Sequence, residues 1–306
     1  NKDYCINCYK CVDACGARQA INFEQQPEEI ELDVGAIVLA TGFDIYMPTD
    51  DPLYGYGKYD NVITALEFER LILAAGPTGG KVLRASDGKK PHSVTFIQCV
   101  GSRDVNKYEY CSGFCCMYGL KSAILLKEKY KDDVEVHLMY IDMRTNFKGY
   151  EEFYRRARDL GVDFIRGKAS QVLEDPKTKN LYIRAEDMTI GEPIEVESEM
   201  VVLCTAAIPK SGSADVARIF GISRGSDGFF MESHPKLKPI DTPTDGIFVA
   251  GACQGPKDIP YSVAQGSAAA SRAATILSKP KWKIEPTIAV VDQSICQNTR
   301  VKCGIC

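Results

Sequence analysis

The sequence of 306 residues lacks several features that define large classes of protein. No apolar run approaches the roughly 18 residues of a membrane span, and no signal peptide is present, so we expect a cytoplasmic protein without a membrane span. The formal net charge of -4 gives no electrostatic reason to expect nucleic acid as a partner. No catalytic triad, acid–base pair or metal-hydrolase motif occurs. The three histidines lie outside the cysteine motifs and are predicted to be structural.

A nucleotide fingerprint is also missing from a segment that is otherwise patterned to bind one. A buried strand (Val94–Val100), an amphipathic helix (Cys115–Tyr130) and a second strand (Val134–Ile141) are predicted in order. A nicotinamide-binding unit carries G-x-G-x-x-G in its first turn, but Gln98–Asp104 contains one glycine. We therefore predict an inserted Rossmann-like domain over residues 91–207 that does not use NAD(P)H.

Cysteine is abundant, with 13 residues in the chain. Ten of them are grouped at the spacing of metal ligands rather than of a disulfide framework. The three groups are Cys5, Cys8, Cys11 and Cys15; Cys111, Cys115 and Cys116; and Cys296, Cys303 and Cys306.

The first group has the spacing Cys5-x2-Cys8-x2-Cys11-x3-Cys15, which is typical of a [4Fe–4S] cluster. Zinc sites usually show two separated pairs instead. We predict a ferredoxin-type module over residues 1–29, closed by a short strand at Ala17–Phe23. The fourth cysteine would serve a neighbouring cluster if a second motif lies upstream. The chain is expected to be part of a longer polypeptide.

The second group lies at the start of a predicted helix, where the helix dipole stabilises thiolates. Cluster ligation or redox chemistry is one interpretation, and buried structural thiols are the other. The third group, within residues 281–306, predicts the beginning of another ferredoxin loop after a linker. Its first gap is longer than usual, which leaves the membership of Cys296 open.

One stretch, Asp245–Ala274, reads as a buried strand, a glycine turn at Gly251 and a small-residue helix from about Ser262. A second buried strand, within Ile30–Thr41, ends in a turn at Gly42. Turns that follow parallel strands and precede helices bind anionic or electron-rich groups in α/β proteins. The alternative interpretation of this pattern is purely structural, with the helix packed tightly on the sheet.

Several segments resemble the family of heterodisulfide reductase A subunits over essentially the whole chain, in order. They are CINCYKCVDAC, VGAIVLATGFD, LEFERLILAAGPTGGKV, FIQCVGSRD with YCSGFCCMYGLKSAILLKEKY, GYEEFYRRAR and GIFVAGACQGPKDIPYSVAQGSAAA. The resemblance implies an α/β, thioredoxin-reductase-like FAD/NAD-linked reductase fold with ferredoxin-type iron–sulfur modules. The chain would be the middle portion, without the N-terminal part that carries its own cluster and the FAD fingerprint.

The resemblance also implies an FAD-binding domain made of residues 30–90 and 208–280. Lys257 would lie near the isoalloxazine, as the one candidate catalytic residue, where a cation stabilises reduced flavin; an ordinary solvated lysine is the alternative. The other expected FAD-binding residues are Thr41, Gly42, Gly251, Ala252, Ser262, Val263 and Gln265.

The implied function is that of an oxidoreductase component in which FAD joins two-electron to one-electron transfer, with electron bifurcation in archaeal members. Expected partners are other subunits of the complex, ferredoxin and a donor module such as hydrogenase or formate dehydrogenase; a homodimer stays open. One of Cys111, Cys115 and Cys116 would ligate the cluster of the N-terminal part. The alternatives are an NAD(P)H-dependent disulfide reductase using Cys115–Cys116, and a non-catalytic cluster scaffold.

Overall fold

The structure is a computed structural model that describes residues 5–282, 292 and 294–296. The chain divides into two compact units, one extending to Gly35 and the other beginning at Ala36. Cys303 and Cys306 lie outside the described residues.

The first unit contains one short helix, α1 (Lys10–Cys15), followed by a single 3₁₀ turn at Gly16–Arg18. The strand predicted at Ala17–Phe23 is wrong for the residues described. Gln19 has a left-handed backbone with φ of 46°, so the chain turns where an extended strand was expected.

The second unit contains all the strands found in the described part of the chain. They are β1 (Ile37–Leu39), β2 (Phe43–Ile45), β3 (Val62–Thr64), β4 (Ser93–Val100), β5 (Glu135–Tyr140), β6 (Asp163–Arg166), β7 (Ala169–Glu174), β8 (Leu181–Asp187), β9 (Glu192–Ser198), β10 (Met200–Thr205), β11 (Ala207–Pro209) and β12 (Ile247–Val249). Its helices are α2 (Ala65–Ile72), α3 (Cys115–Tyr130), α4 (Tyr150–Asp159), α5 (Ser213–Phe220) and α6 (Ile259–Leu277).

The main sheet is parallel and has the strand order β3-β10-β4-β5-β6. Its central strands β4 and β10 are buried along almost their whole length. Strands covered on both faces read as continuous apolar runs, which is why these two were predictable from sequence. The sheet also includes β3, from the segment predicted to belong to the FAD-binding domain.

Different layers cover the two faces of this sheet. On one face α3 packs between α2 and α4, and Leu120 of α3 shares a core with Phe96 and Leu138 of the sheet. The antiparallel sheet β7-β8-β9 lies on the other face. Its Leu181 and Ile183 pack against residues of the main sheet. The hairpin predicted at Leu181–Ile194 is confirmed as β8 and β9.

Strands β1 and β12 form a separate two-stranded parallel sheet, and α6 packs on it. The strand predicted from Ile30 is confirmed only over β1. Helix α6 begins three residues before its predicted start, because Asp258 accepts a hydrogen bond from the Tyr261 amide and so acts as the N-cap. No helix in the described part of the chain is long and apolar enough to cross a bilayer.

Helix α2 begins with a capping box that supplies a stability test. The Thr64 side chain accepts from the Glu67 amide, and the Glu67 carboxylate accepts from the Thr64 amide. Thr64→Ala should lower the free energy of unfolding by about 1 kcal/mol, because it leaves a helix N–H without its partner. Denaturant titration measures the change. Thr275→Ala, which removes a hydroxyl bonded to the Ser271 carbonyl within α6, should have little effect; equal losses in both variants would contradict the capping role.

Candidate flavin and cysteine site

The turns after β1 and β12 lie at one edge of the two-stranded sheet, because the strands are parallel and in register. Thr41 and Gly42 follow β1, and Gly251 and Ala252 follow β12. Gly42 has φ of 77°, and a Cβ atom at this position would meet nothing within 4 Å. Gly251 has φ of 73°. The predicted backbone positions are therefore brought together at the carboxyl edge, where α/β sheets bind ligands.

The Gly251 turn is held by side chains of α6 and of the preceding loop. The Gly251 amide donates to Oε1 of Gln265 at 2.8 Å, and Nε2 of Gln265 donates to Oε1 of Gln254 at 3.2 Å. Ser262 donates from its hydroxyl to the Asp258 carbonyl, and Val263 is exposed. Gln265 thus contacts the turn directly.

Lys257 bridges the same loop. Its Nζ donates to the carbonyl oxygens of Gly251 at 2.9 Å and of Gly255 at 2.6 Å. Burial lowers its pKa from 10.5 to about 8, although the charges of Cys253 and Glu232 favour the protonated form. Lys257 is therefore a half-buried cation fixed beside the turn, and it does not match the alternative of an ordinary solvated lysine.

A cavity of about 740 Å³ joins the Lys257 loop to the cysteine-rich segment. Lys257 and Asp258 line one part of it, and Cys111, Gly113 and Arg144 line another. These residues are far apart in the sequence. They meet because the loops that follow β4 and β5 leave the carboxyl edge of the main sheet, where ligands bind in doubly wound folds.

The thiol of Cys115 lies between those of Cys116 and Cys99 at this edge. Cys115 and Cys116 are the first residues of α3, and Cys115 hydrogen bonds with both Cys99 and Cys116. These hydrogen bonds raise the pKa of Cys115 well above its ordinary value, because it keeps the shared proton. The Cys115 hydrogen bond lowers the pKa of Cys116 to about 7, helped by the backbone and the charge of Arg144.

A β-bulge explains how Cys99 reaches this position. Leu203 pairs with Ile97 and Thr205 pairs with Val100, so Gln98 and Cys99 together oppose the single residue Cys204. Bulges redirect side chains and occur beside active sites. Cys99 has a left-handed backbone with φ of 61°, which is uncommon for a residue other than glycine.

Polar groups around the thiols are left without partners. Within the described residues, both side-chain polar atoms of Gln98, the hydroxyl of Ser102 and Nη1 of Arg103 are buried without a hydrogen bond. Buried polar atoms are normally paired, so such a concentration marks a site that accepts a polar or charged group. The thiols and the guanidinium have the chemistry to ligate and stabilise an iron–sulfur cluster through one thiol, although no three such side chains in the described residues converge on one metal position. Cys99 and Arg103 were not found from sequence, because a bulge and a half-buried arginine leave no periodic signal.

Cys111 lies beside this group and is half-buried. Its Sγ accepts a hydrogen bond from the Gly113 amide at 3.3 Å. We refer to Cys99, Cys111, Cys115 and Cys116 as the cysteine group. Cys115 and Cys116 are both buried, in agreement with the interpretation as structural thiols as well as with ligation.

In the first unit the predicted ligands are on the surface or partly exposed. Cys5, Cys8 and Cys11 are exposed, and Sγ of Cys15 accepts from the Ala20 amide at 3.2 Å. The thiol donors and their spacing fit a cluster. However, no group of three or more His, Cys, Asp or Glu side chains that could hold a metal ion occurs among residues 5–282, 292 and 294–296. A cube with four irons takes one thiolate at each corner, so its ligands need not converge on one ion.

The third predicted group is described only at Cys296, whose amide donates to the Asp292 carbonyl at 2.9 Å. The predicted ligands Cys303 and Cys306 lie outside the described residues.

The turn that would carry a nucleotide fingerprint is covered. A Cβ atom at Gly101, after β4, would collide with the ring of Tyr46. The hydroxyl of Tyr46 accepts from Nζ of Lys107 at 2.9 Å, which holds the ring over the turn. A pyrophosphate requires close approach to glycine backbone at this position, so the covering ring supports the prediction that the inserted domain does not use NAD(P)H.

Comparisons with known proteins identify relatives for nearly the whole chain. It is 54% identical over 289 residues to an iron–sulfur A subunit of the CoB–CoM heterodisulfide reductase of Methanopyrus kandleri, covering 94% of this chain and 43% of the relative. It is 50% identical over 309 residues to the A subunit of the H₂:CoB-CoM heterodisulfide,ferredoxin reductase of Methanothermobacter thermautotrophicus, covering 100% of this chain and 46% of the relative. The chain thus spans a little under half the length of these curated relatives.

Among solved structures, the chain is similar to the thioredoxin reductase of T. acidophilum. The TM-score is 0.51 at 14% identity, and the match covers 80% of this chain and 66% of that chain. No protein-family model matches. The structural similarity confirms the predicted thioredoxin-reductase-like fold.

Proposed function

We propose that the chain, which is similar to heterodisulfide reductase A subunits over the part of those proteins that it spans, is an electron-transfer portion of an oxidoreductase of that family. FAD bound at the turns after β1 and β12 would exchange two electrons, and [4Fe–4S] clusters would carry single electrons to partner subunits. Such a junction is what electron bifurcation requires, and we include bifurcation in the proposal.

The observation that carries this proposal is the cavity shared by Lys257 and Cys111. A cation suited to a reduced flavin and a thiol suited to a cluster line the same space. Electron transfer needs two redox centres close together, and a shared cavity supports that proximity.

In this proposal FAD supplies hydride and electron chemistry when it is bound, and the chain supplies binding and electrostatics. The backbone at Thr41, Gly42, Gly251 and Ala252 lets the cofactor approach closely. Lys257 contributes positive charge, which stabilises a reduced, anionic ring. The beginning of α6, with Ser262, Val263 and Gln265, would present its helix dipole to the cofactor, although the Asp258 cap already occupies the Tyr261 amide.

Clusters are proposed at the three cysteine groups. Cys5, Cys8, Cys11 and Cys15 would hold one in the first unit, and Cys296, Cys303 and Cys306 would contribute to another. Cys111, Cys115 or Cys116 would supply one ligand to the cluster that the family resemblance assigns to an N-terminal part. The contact between Cys99 and Cys115 supports adding Cys99 to these candidates.

The proposed partners are other subunits of a heterodisulfide-reductase-like complex, ferredoxin and an electron-donor module such as hydrogenase or formate dehydrogenase. The name of the Methanothermobacter relative includes H₂ and ferredoxin, which supports this choice. We propose a cytoplasmic location, no nucleic-acid partner, and leave a homodimer as an alternative assembly. A disulfide reductase driven by NAD(P)H is disfavoured, because Tyr46 covers the nucleotide turn.

The anaerobic visible spectrum of the purified protein tests the proposal. We expect flavin bands together with a broad absorbance that dithionite bleaches, and iron and flavin are quantified after acid release. Iron without flavin would favour a non-catalytic cluster scaffold, and a colourless protein would contradict both.

A further inference from the structure

Arg103 is the charged residue most closely associated with the cysteine group. It lies in the loop after β4 and has φ of 55°, and its amide donates to the Tyr110 carbonyl at 3.0 Å. The Tyr110 carbonyl belongs to the residue just before Cys111. The backbone of Arg103 is thus tied to the segment that carries one of the proposed ligands.

The guanidinium of Arg103 is fixed from one side only. Its Nη2 donates to Oδ2 of Asp142 at 2.8 Å, and 21% of the side chain is exposed. The main chain of Asp142 also contacts the cysteine group, because Sγ of Cys116 donates to its carbonyl at 3.7 Å. Asp142 therefore holds Arg103 next to Cys116.

On the other side of the guanidinium, one nitrogen is buried without a hydrogen bond to the described residues. Nη1 of Arg103 has no hydrogen-bond partner in the described part of the chain. Its charge lies within electrostatic reach of Cys99, Cys111 and Cys116. A buried guanidinium N–H normally has an acceptor, and the acceptors suited to it here are sulfur atoms that carry negative charge.

We propose that Arg103 is a positioning residue that sets the reduction potential of an iron–sulfur cluster to which the cysteine group contributes a ligand. This inference rests on the proposed function. Reduction of a cluster adds one electron, supplied in the protein by the proposed flavin, and no bond is made or broken. The added negative charge is stabilised by a nearby cation, and charge and hydrogen bonds to sulfur are the factors that tune cluster potentials.

The test is a redox titration, with dithionite as reductant, followed by the electron paramagnetic resonance of the reduced clusters. The component to follow is the one that disappears when Cys111, Cys115 or Cys116 is replaced with serine, each in a separate variant. In Arg103→Gln its reduction equilibrium should weaken about tenfold, which for one electron is about 59 mV toward negative potential. Arg103→Lys keeps the charge and should shift less.

Arg166→Gln is the matched control. Arg166 pairs with the same carboxylate, at 3.5 Å from Oδ1 of Asp142, but its side chain is 48% exposed. The potential in this variant should stay within twofold of the wild-type equilibrium. A general disturbance of Asp142 would instead shift both arginine variants alike, which would overturn the inference.

The remaining outcomes separate the inference from the proposed function. An unchanged potential in Arg103→Gln overturns the role of Arg103 and leaves the cluster proposal intact. If no component depends on Cys111, Cys115 or Cys116 in the wild-type protein, the proposed cluster itself fails. Loss of the cluster in Arg103→Gln with retention in Arg103→Lys supports the role of charge, whereas loss in both variants indicates packing and overturns it.

Discussion

A protein in which Cys8 and Cys11 are both replaced with serine should contain about four fewer iron atoms per chain than the wild type. Each [4Fe–4S] cluster takes four cysteine thiolates, and removal of two ligands leaves too few to retain it. Both side chains are exposed, so their replacement should leave the fold unchanged. Iron is quantified after anaerobic purification, together with the absorbance that dithionite bleaches.

The matched control for the double variant is Cys204→Ala. Cys204 is a fully buried cysteine on β10 that belongs to none of the predicted ligand groups. Its loss should leave the iron content unchanged, even if the cavity lowers stability. A double serine variant with the full iron complement would contradict a cluster in the first unit, and equal losses of iron in the control would indicate unfolding instead.

The second large effect is expected from Lys257→Met in the flavin-free protein. Burial lowers the pKa of Lys257 from 10.5 to about 8, so the folded state binds this proton less tightly than the unfolded state does. Below pH 8 the buried charge therefore opposes folding, and this cost is relieved as the pH rises from about 8 to 10.5. Lys257→Met removes this titration and also the two hydrogen bonds to the Gly251 and Gly255 carbonyls, so the prediction concerns the pH dependence. The wild type should gain on the order of 1–3 kcal/mol relative to the variant as the pH rises, after allowance for screening.

Free energies of unfolding measured across this pH range test the prediction. Relative to Lys257→Met, the wild-type protein should gain stability between about pH 8 and 10.5. Lys238→Met, at an exposed lysine, should run parallel to the wild type throughout. Parallel curves for Lys257→Met and the wild type would show that the lysine is solvated.

Bound reduced flavin should change the pKa of Lys257 in the opposite direction from burial. An anionic reduced ring beside Lys257 would favour the protonated lysine and raise its pKa. The flavin midpoint potential in Lys257→Met should accordingly become more negative, because the reduced ring loses a stabilising charge. A potential that is unchanged by the substitution would remove Lys257 from the flavin site while leaving its effect on stability in place.

Local patterns in the sequence were enough to predict the main secondary structure. The strand β4 and the helix α3 lie where they were expected, since a strand buried on both faces reads as an uninterrupted apolar run. The helical spacing of apolar residues predicted the bounds of α3 correctly. The prediction of a strand at Ala17–Phe23 was wrong because the chain turns at Gln19, whose backbone is left-handed. The amino-acid composition of this segment does not specify that turn.

The sequence by itself determined the spacing of the cysteine motifs, the loss of the nucleotide fingerprint and the two glycine turns, since each is a matter of residue type at short range. Only the tertiary structure decided which of these features meet. The parallel register of β1 and β12 aligns their turns, a bulge turns Cys99 toward Cys115, and one cavity joins Cys111 to Lys257. Such contacts depend on how strands are ordered in space, and residue spacing along the chain carries no record of that order.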